Sequence, residues 1–236
     1  MNMPLNTKAN TSDPIEQARY NMIEQQIRPW NVFDRGVLDT LVRVRREDFV
    51  PLAYRSMAFV DMEIPLQGDP DEAVRIGQCM LAPRVEARLL QELNLQKNER
   101  VLEIGAGSGY MAALLAQYAD QVVTLEIDPA LALLARENLE RAGIRNASVR
   151  VGDGARSGIP DGPFDAILLS GSVAEVPSRL LDLLRDGGRL IAIAGQEPVM
   201  RVTTVRKQGS RFDVSYPWDT NTARLLNFAE PSAFRF

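Results

Sequence analysis

Histidine is absent from this 236-residue chain, and cysteine occurs once, as Cys79. Without histidine, Ser-His-Asp catalysis, Cys-His catalysis and histidine metal sites are excluded. A single cysteine also excludes a thiolate zinc centre and an internal disulfide framework. We therefore predict no metal site. The chemistry has to depend on carboxylates, hydroxyls, backbone groups and a bound cofactor.

Long apolar runs and an excess of positive charge are also missing. No run approaches the ~20 apolar residues of a membrane span, and the first 14 residues are polar, with no signal-peptide core. The net charge of −4 and the pI near 5.1 give no support for a nucleic-acid or membrane-surface role. These features predict a cytoplasmic protein with neither kind of partner, and they leave the oligomeric state undetermined.

The most informative stretch present is 100–116. A short apolar strand over 101–104 ends at three glycines spaced by single residues, Gly105, Gly107 and Gly109, and an Ala- and Leu-rich helix follows. In such a layout a ligand lies across the helix N-terminus, and the glycines allow positive φ and close approach. A second apolar strand, over 122–125, ends at Glu126, where an acid is placed to bind a ribose diol.

The glycine spacing separates two classes of cofactor. A dinucleotide fingerprint starting at Gly105 needs glycine at position 110, which is Tyr110. The form Glu103-x-Gly105-x-Gly107-x-Gly109 instead resembles motif I of the class I S-adenosylmethionine (SAM) methyltransferases. A dinucleotide oxidoreductase is a distant alternative, and a tight turn without any ligand is the simplest one.

Alternating strand and helix patterns predict an α/β fold with a doubly wound, mostly parallel sheet. We divide one compact domain into a flexible tail (1–14), an N-terminal helical cap with a substrate-side loop (15–98), an α/β core (99–206) and a C-terminal extension (207–236). We expect a loop over 65–75, a helix from 177 to 184, and an antiparallel edge made by strands over 200–205 and 212–216.

Polar residues follow the predicted strands at their carboxyl ends, where such a sheet binds ligands. Asp153 suits an adenine amino group, because a carboxylate accepts hydrogen bonds from N–H donors. Its alternative role is an Asx turn. Glu103 either belongs to the site or bonds amides of the glycine turn. Ser170 follows the fourth strand of the predicted core.

The order VLEIGAGSGY, TLEID, VRVGDGARSG, PFDAILLSG and LLRDGGRLI resembles the protein-L-isoaspartate O-methyltransferase family, and the N-terminal stretch MIEQQIRPWNVFDRGVLDTLVRVRREDFVP is similar to that family's own N-terminal region. The resemblance covers about residues 18–206 and leaves 207–236 unmatched. It implies a Rossmann-like class I methyltransferase fold, SAM as cofactor with S-adenosylhomocysteine as product, and methylation of isoaspartyl residues in damaged proteins or peptides. The implied cofactor-binding residues are Gln78, Cys79, Met80, Leu81, Glu103, Gly105, Ala106, Gly107, Gly109, Glu126, Ile127, Asp153, Gly154 and Ser170.

One departure from the family concerns its G-Q-T-I-S-x-P signature. Gly77, Gln78 and Pro83 match it, but Cys79 replaces the threonine and Leu81 replaces the serine that the family uses at its active site. We therefore assign no catalytic residue. Two alternatives follow: a methyltransferase for a less polar small molecule, with Met80 and Leu81 lining an apolar pocket, or a SAM-binding protein that has lost catalysis. For Cys79 we expect packing, because nothing in the sequence lowers its pKa.

Overall fold

A computed structural model describes residues 13–156, 159 and 162–230 of the chain. Most of the predicted tail, residues 1–12, lies outside the described residues. The described α-helices are α1 Pro14–Met22, α2 Arg35–Arg43, α3 Pro70–Arg75, α4 Pro83–Leu93, α5 Tyr110–Leu115, α6 Pro129–Arg141 and α7 Ser178–Leu181. Short π and 3₁₀ helices cover Ile23–Ile27, Arg28–Trp30, Arg46–Asp48 and Leu52–Met57. The described strands are β1 Ile64–Pro65, β2 Cys79–Met80, β3 Arg100–Ile104, β4 Gln121–Glu126, β5 Ala147–Val151, β6 Phe164–Val173, β7 Leu184–Gln196, β8 Val199–Gln208 and β9 Arg211–Asp219.

Seven of these strands form one sheet in the order β5-β4-β3-β6-β7-β8-β9. The five strands from β5 to β7 are parallel, and β8 and β9 add an antiparallel edge. The chain enters at β3, runs outward to β5 and then returns to β6 on the other side of β3. This reversal confirms the predicted doubly wound sheet and creates a crevice between β3 and β6 at their carboxyl ends, the place where such sheets bind ligands.

The N-terminal cap packs on one face of this sheet. Asp34 caps α2 by accepting from the Val37 N–H at 3.0 Å, and the apolar side of α2 is buried. Within the cap, the fully buried Arg46 joins the region after α2 to α4: its guanidinium pairs with Glu86 and donates to the Leu81 carbonyl at 2.7 Å. Pairing satisfies a charge that would be costly to bury alone, so the 79–83 segment is held against the first part of the cap.

Two local predictions were wrong. Residues 65–75 were expected to be a loop, but 70–75 form α3, because Asp69 caps it by accepting from the Glu72 N–H at 3.1 Å and Pro70 opens it. The helix expected to reach residue 184 ends at Leu181, and Leu184 already pairs with Phe164 as part of β7. The small antiparallel pair of β1 and β2 was not predicted at all.

The C-terminal extension contributes to both the sheet and the crevice. β9 completes the antiparallel edge as expected, and residues 220–230 then turn back across the carboxyl ends of the strands. There the Leu225 N–H donates to the Ser172 carbonyl, and the Ser172 N–H donates to the Ala223 carbonyl, both at 2.9 Å. Within the described residues, no helix is long and apolar enough to cross a membrane.

Candidate cofactor site

The glycine turn links β3 to α5 with all three glycines at positive φ, from +51° at Gly107 to +95° at Gly105. The N–H groups of Gly105 and Ala106 donate to the Leu125 carbonyl at 2.9 and 3.2 Å, which fixes the turn against β4. These dihedrals suit glycine, since a side chain in this region is strained. The local sequence therefore dictates the sharp bend at the edge of the crevice.

The glycines of the turn have different roles. A Cβ atom on Gly109 would lie 3.0 Å from the Ala135 carbonyl oxygen, so this glycine allows α5 and α6 to pack closely. Gly105 and Gly107 instead line a cavity at the strand ends. Ala106 is buried and lies off that cavity, as does Gly109. Of the turn residues assigned to the cofactor, the structure places only Gly105 and Gly107 on the cavity wall.

Glu126 terminates β4 on the wall of the same cavity. One carboxylate oxygen accepts from the Gly107 N–H at 2.8 Å, and the other accepts from the Asp128 N–H at 3.1 Å. Burial raises the pKa of Glu126, while these backbone donors act in the opposite direction. The acid that bonds the glycine turn is thus Glu126, whereas the sequence alternative had given that role to Glu103.

Glu103 lies within the sheet and is fully buried. It accepts a hydrogen bond from the Ser170 hydroxyl at 2.8 Å. Burial raises the pKa of Glu103 to about 8. Ser170 lines the cavity but Glu103 does not, so Glu103 lies one layer behind the wall that Ser170 forms.

Asp153 follows β5 and also lines the cavity. One of its carboxylate oxygens accepts from the Ala155 N–H at 2.8 Å, which is the Asx turn considered as its alternative role. The other oxygen accepts from the Asn227 amide at 2.8 Å and pairs with Arg156 at 2.9 Å. The neighbouring Gly154 is on the wall too, and a Cβ atom there would collide with the Ile104 side chain.

Residues 78–81 divide into two pairs with different surroundings. Gln78 and Cys79 line the cavity, and the Gln78 amide donates to the Asp128 carboxylate at 3.1 Å. Met80 and Leu81 are buried in the core, with 3% and 7% of their surfaces exposed, and neither lines the cavity. These two side chains, which were predicted to line an apolar acceptor pocket, are therefore not part of the cavity wall.

Cys79 has the environment of a packing residue. Burial, together with the nearby carboxylates of Glu63 and Glu86, raises the pKa of its thiol to about 12. A thiol with such a pKa is protonated at neutral pH and is a poor nucleophile. The structure therefore favours the packing role expected from the sequence.

The cavity unites most of the predicted set. The predicted residues on its wall are Gln78, Cys79, Gly105, Gly107, Glu126, Ile127, Asp153, Gly154 and Ser170. Sequence reasoning missed Asp128 and three residues of the C-terminal extension, Leu225, Leu226 and Phe228. It also missed six mostly apolar wall residues beside the predicted ones, Ile76, Gly77, Ile104, Leu125, Leu131 and Gly152. Asp128 was visible as the cap of α6, where its carboxylate accepts from the Ala130 N–H at 2.8 Å. Nothing in the local sequence around 225–228 indicates that this segment returns to the site.

The cavity chemistry fits a nucleoside with an amino-acid tail. Two carboxylates on neighbouring strand ends can accept from hydroxyl and amino groups, and Gly105 and Gly107 present backbone without Cβ atoms on the cavity wall. Among the described residues, no cluster of His, Cys, Asp and Glu side chains could hold a metal ion. This fold and this site define a class I SAM-dependent methyltransferase.

Comparisons with known proteins give the family. The model of the "Protein-L-isoaspartate(D-aspartate) O-methyltransferase" family matches residues 17–218. A protein-L-isoaspartate O-methyltransferase of Methanoculleus marisnigri is 38% identical over 202 residues, which cover 86% of this chain and 88% of that protein. The chain belongs to the protein-L-isoaspartate(D-aspartate) O-methyltransferase family, whose members use SAM.

Solved structures agree on the fold. One named protein-L-isoaspartate O-methyltransferase superposes with a TM-score of 0.72 at 25% identity, covering 87% of this chain; this chain spans 65% of that longer one. A putative protein-L-isoaspartate O-methyltransferase of Plasmodium falciparum, in complex with S-adenosyl-L-homocysteine, has a TM-score of 0.71 at 20% identity and covers 90% of this chain and 98% of its own.

Proposed function

We propose that this protein transfers a methyl group from SAM to the free carboxylate of isoaspartyl residues in peptides or proteins. One observation carries the proposal: the glycine turn, Glu126 and Asp153 lie on one cavity at the carboxyl edge of the sheet. Family membership over residues 17–218 supports the choice of acceptor.

Each cavity group has a proposed role toward the cofactor. Glu126 accepts hydrogen bonds from the ribose hydroxyls, and Asp153 accepts one from the adenine amino group. Gly105 and Gly107 leave space for the amino-acid tail. The donor set supports these roles, because backbone N–H groups hold both carboxylates in fixed orientations on the cavity wall.

The reaction requires little acid–base catalysis by the protein. When bound, SAM supplies an electrophilic methyl group. A carboxylate acceptor with a pKa of ~4 is already ionised at neutral pH, so no general base is required. The protein must align the acceptor oxygen with the methyl group and exclude water. Positioning and desolvation of this kind lower the activation barrier.

The serine position of the family signature is the main difference in this chain. Leu81 brings no hydroxyl there, and its side chain packs in the core while Arg46 binds its carbonyl. Losing one orienting hydrogen bond costs about 1–3 kcal/mol, or about fivefold to 150-fold in rate. We therefore infer that this protein methylates the same acceptor more slowly than a relative with serine at this position would.

The test is transfer of tritium from methyl-labelled SAM to a short isoaspartyl peptide and to its aspartyl isomer. We expect labelling of the isoaspartyl peptide only, and loss of labelling in a Glu126→Gln variant. Equal labelling of both peptides would contradict the proposed acceptor. SAM binding without turnover on either peptide or on a metabolite panel would instead identify a binding protein without catalysis.

The remaining proposals come from composition. The net charge of −4 and the pI near 5.1 support a protein that acts without nucleic-acid or membrane partners. The single cysteine fits the reducing environment of the cytoplasm. The less polar small-molecule acceptor loses its main argument, since Met80 and Leu81 lie in the core.

A further inference from the structure

The C-terminal extension crosses the cofactor cavity at residues 225–228. Leu225, Leu226 and Phe228 line the cavity, whereas Asn227 lies outside it, on the opposite side of the same turn. Asn227 has φ +65°, a left-handed conformation that asparagine tolerates better than most residues. The turn therefore places two neighbouring side chains on the cavity and directs the Asn227 amide behind its wall.

The Asn227 amide contacts a residue of the wall itself. Its Nδ2 donates to Asp153 Oδ2 at 2.8 Å, across 74 positions of sequence. The Ala155 N–H occupies the other oxygen, and Arg156 pairs with the same oxygen as Asn227. A carboxylate has about four acceptor positions, so these three donors leave one for a ligand on the cavity side.

We propose that Asn227 is a positioning residue for adenine recognition. It holds the Asp153 carboxylate from behind, so that the remaining acceptor position faces the adenine amino group. This inference rests on the proposed function, because it takes the ligand of the cavity to be SAM. Adenine recognition would then involve a residue of the C-terminal extension, the part of the chain that the sequence resemblance leaves unmatched.

The extension is anchored independently of Asn227. The Thr222 hydroxyl donates to Glu63 at 2.8 Å, and Leu225 and Ala223 bond the backbone of Ser172. The Leu225 side chain also packs against Gly105 and Gly171. Removing the Asn227 amide therefore leaves the segment in place, and its effect on binding reports on Asp153.

The experiment compares S-adenosylhomocysteine with its inosine analogue, in which an oxygen replaces the adenine amino group. Titration calorimetry measures both ligands on the wild type, on Asn227→Gly and on Asn227→Asp. Glycine accepts the positive φ and removes the whole side chain, including the amide that bonds Asp153. Aspartate adds a negative charge next to Asp153. The matched control is Asn221→Ala, which removes an amide of the same extension that bonds Met200 and Pro198.

We expect Asn227→Gly to weaken binding of S-adenosylhomocysteine about two- to tenfold, the range of one hydrogen bond, and to change binding of the inosine analogue less than twofold. Asn227→Asp should weaken it further, and Asn221→Ala should match the wild type. In an Asp153→Ala background the effect of Asn227→Gly should disappear, as in a double-mutant cycle. In turnover, the KM for SAM should rise while kcat is unchanged.

Two results would overturn the positioning role while leaving the proposed function intact. One is an equal loss for both ligands, which would mean that Asn227 only supports the fold of the segment. The other is unchanged affinity for S-adenosylhomocysteine in Asn227→Gly. A wild-type protein that binds neither ligand would overturn the proposed function and this inference together.

Discussion

Replacing Glu126 with glutamine removes one carboxylate oxygen and the negative charge from the cavity wall while it preserves the size of the side chain. In the folded protein, both oxygens are oriented by backbone N–H groups, from Gly107 at 2.8 Å and from Asp128 at 3.1 Å. A hydrogen bond to a charged group contributes about 1.5–3 kcal/mol. Losing one acceptor for the ribose diol and weakening the other should therefore cost about 2–4 kcal/mol, or about 30- to 1,000-fold in the Kd for S-adenosylhomocysteine.

Titration calorimetry with S-adenosylhomocysteine and with its 2′-deoxyribose analogue measures this effect. The wild type should prefer the parent ligand, and Glu126→Gln should lose most of that preference. Glu140→Gln, which changes an exposed acid on α6, is the control and should bind as the wild type does. If Glu126→Gln bound the parent ligand within twofold of the wild type, or lost affinity equally for both ligands, Glu126 would not be the group that binds the ribose.

Three further predictions concern the core around the cavity. Glu103 holds its proton up to a pH of about 8 when folded but only to about 4 when unfolded. The free energy of unfolding should therefore fall as pH rises between these values, by roughly 1 kcal/mol per pH unit. Urea unfolding at several pH values should show a smaller dependence of this free energy on pH in Glu103→Gln than in the wild type. Leu81→Ser should lower the free energy of unfolding by roughly 2–4 kcal/mol without tightening S-adenosylhomocysteine binding, because this side chain packs in the core. Gly105→Ala should lower thermal stability and ligand affinity together, since φ is +95° and the new Cβ would lie 3.0 Å from Leu225; an unchanged Tm would contradict this.

Much of the fold and the site was predictable from the sequence, because the relevant signals are local. The strand-turn-helix at 101–115 depends on glycines that allow positive φ within five residues. In a parallel sheet the carboxyl ends of successive strands meet at one edge, so Glu126 and Asp153 were expected near the glycine turn as soon as the strands were assigned. The signal for helix α3 was also local, because Asp69 is its N-cap and Pro70 its first residue, although the segment was predicted as a loop.

The amino-acid sequence by itself thus determined the sheet, the glycine turn and the acids at the strand ends. Only the tertiary structure decided which neighbours those groups have. Leu81 packs in the core, and its carbonyl accepts a hydrogen bond from Arg46, 35 positions away. The return of the C-terminal extension over the cavity, and the contact of Asn227 with Asp153, join segments 74 residues apart. Such contacts form because packing brings distant groups together, and no periodicity or spacing within one segment encodes that proximity.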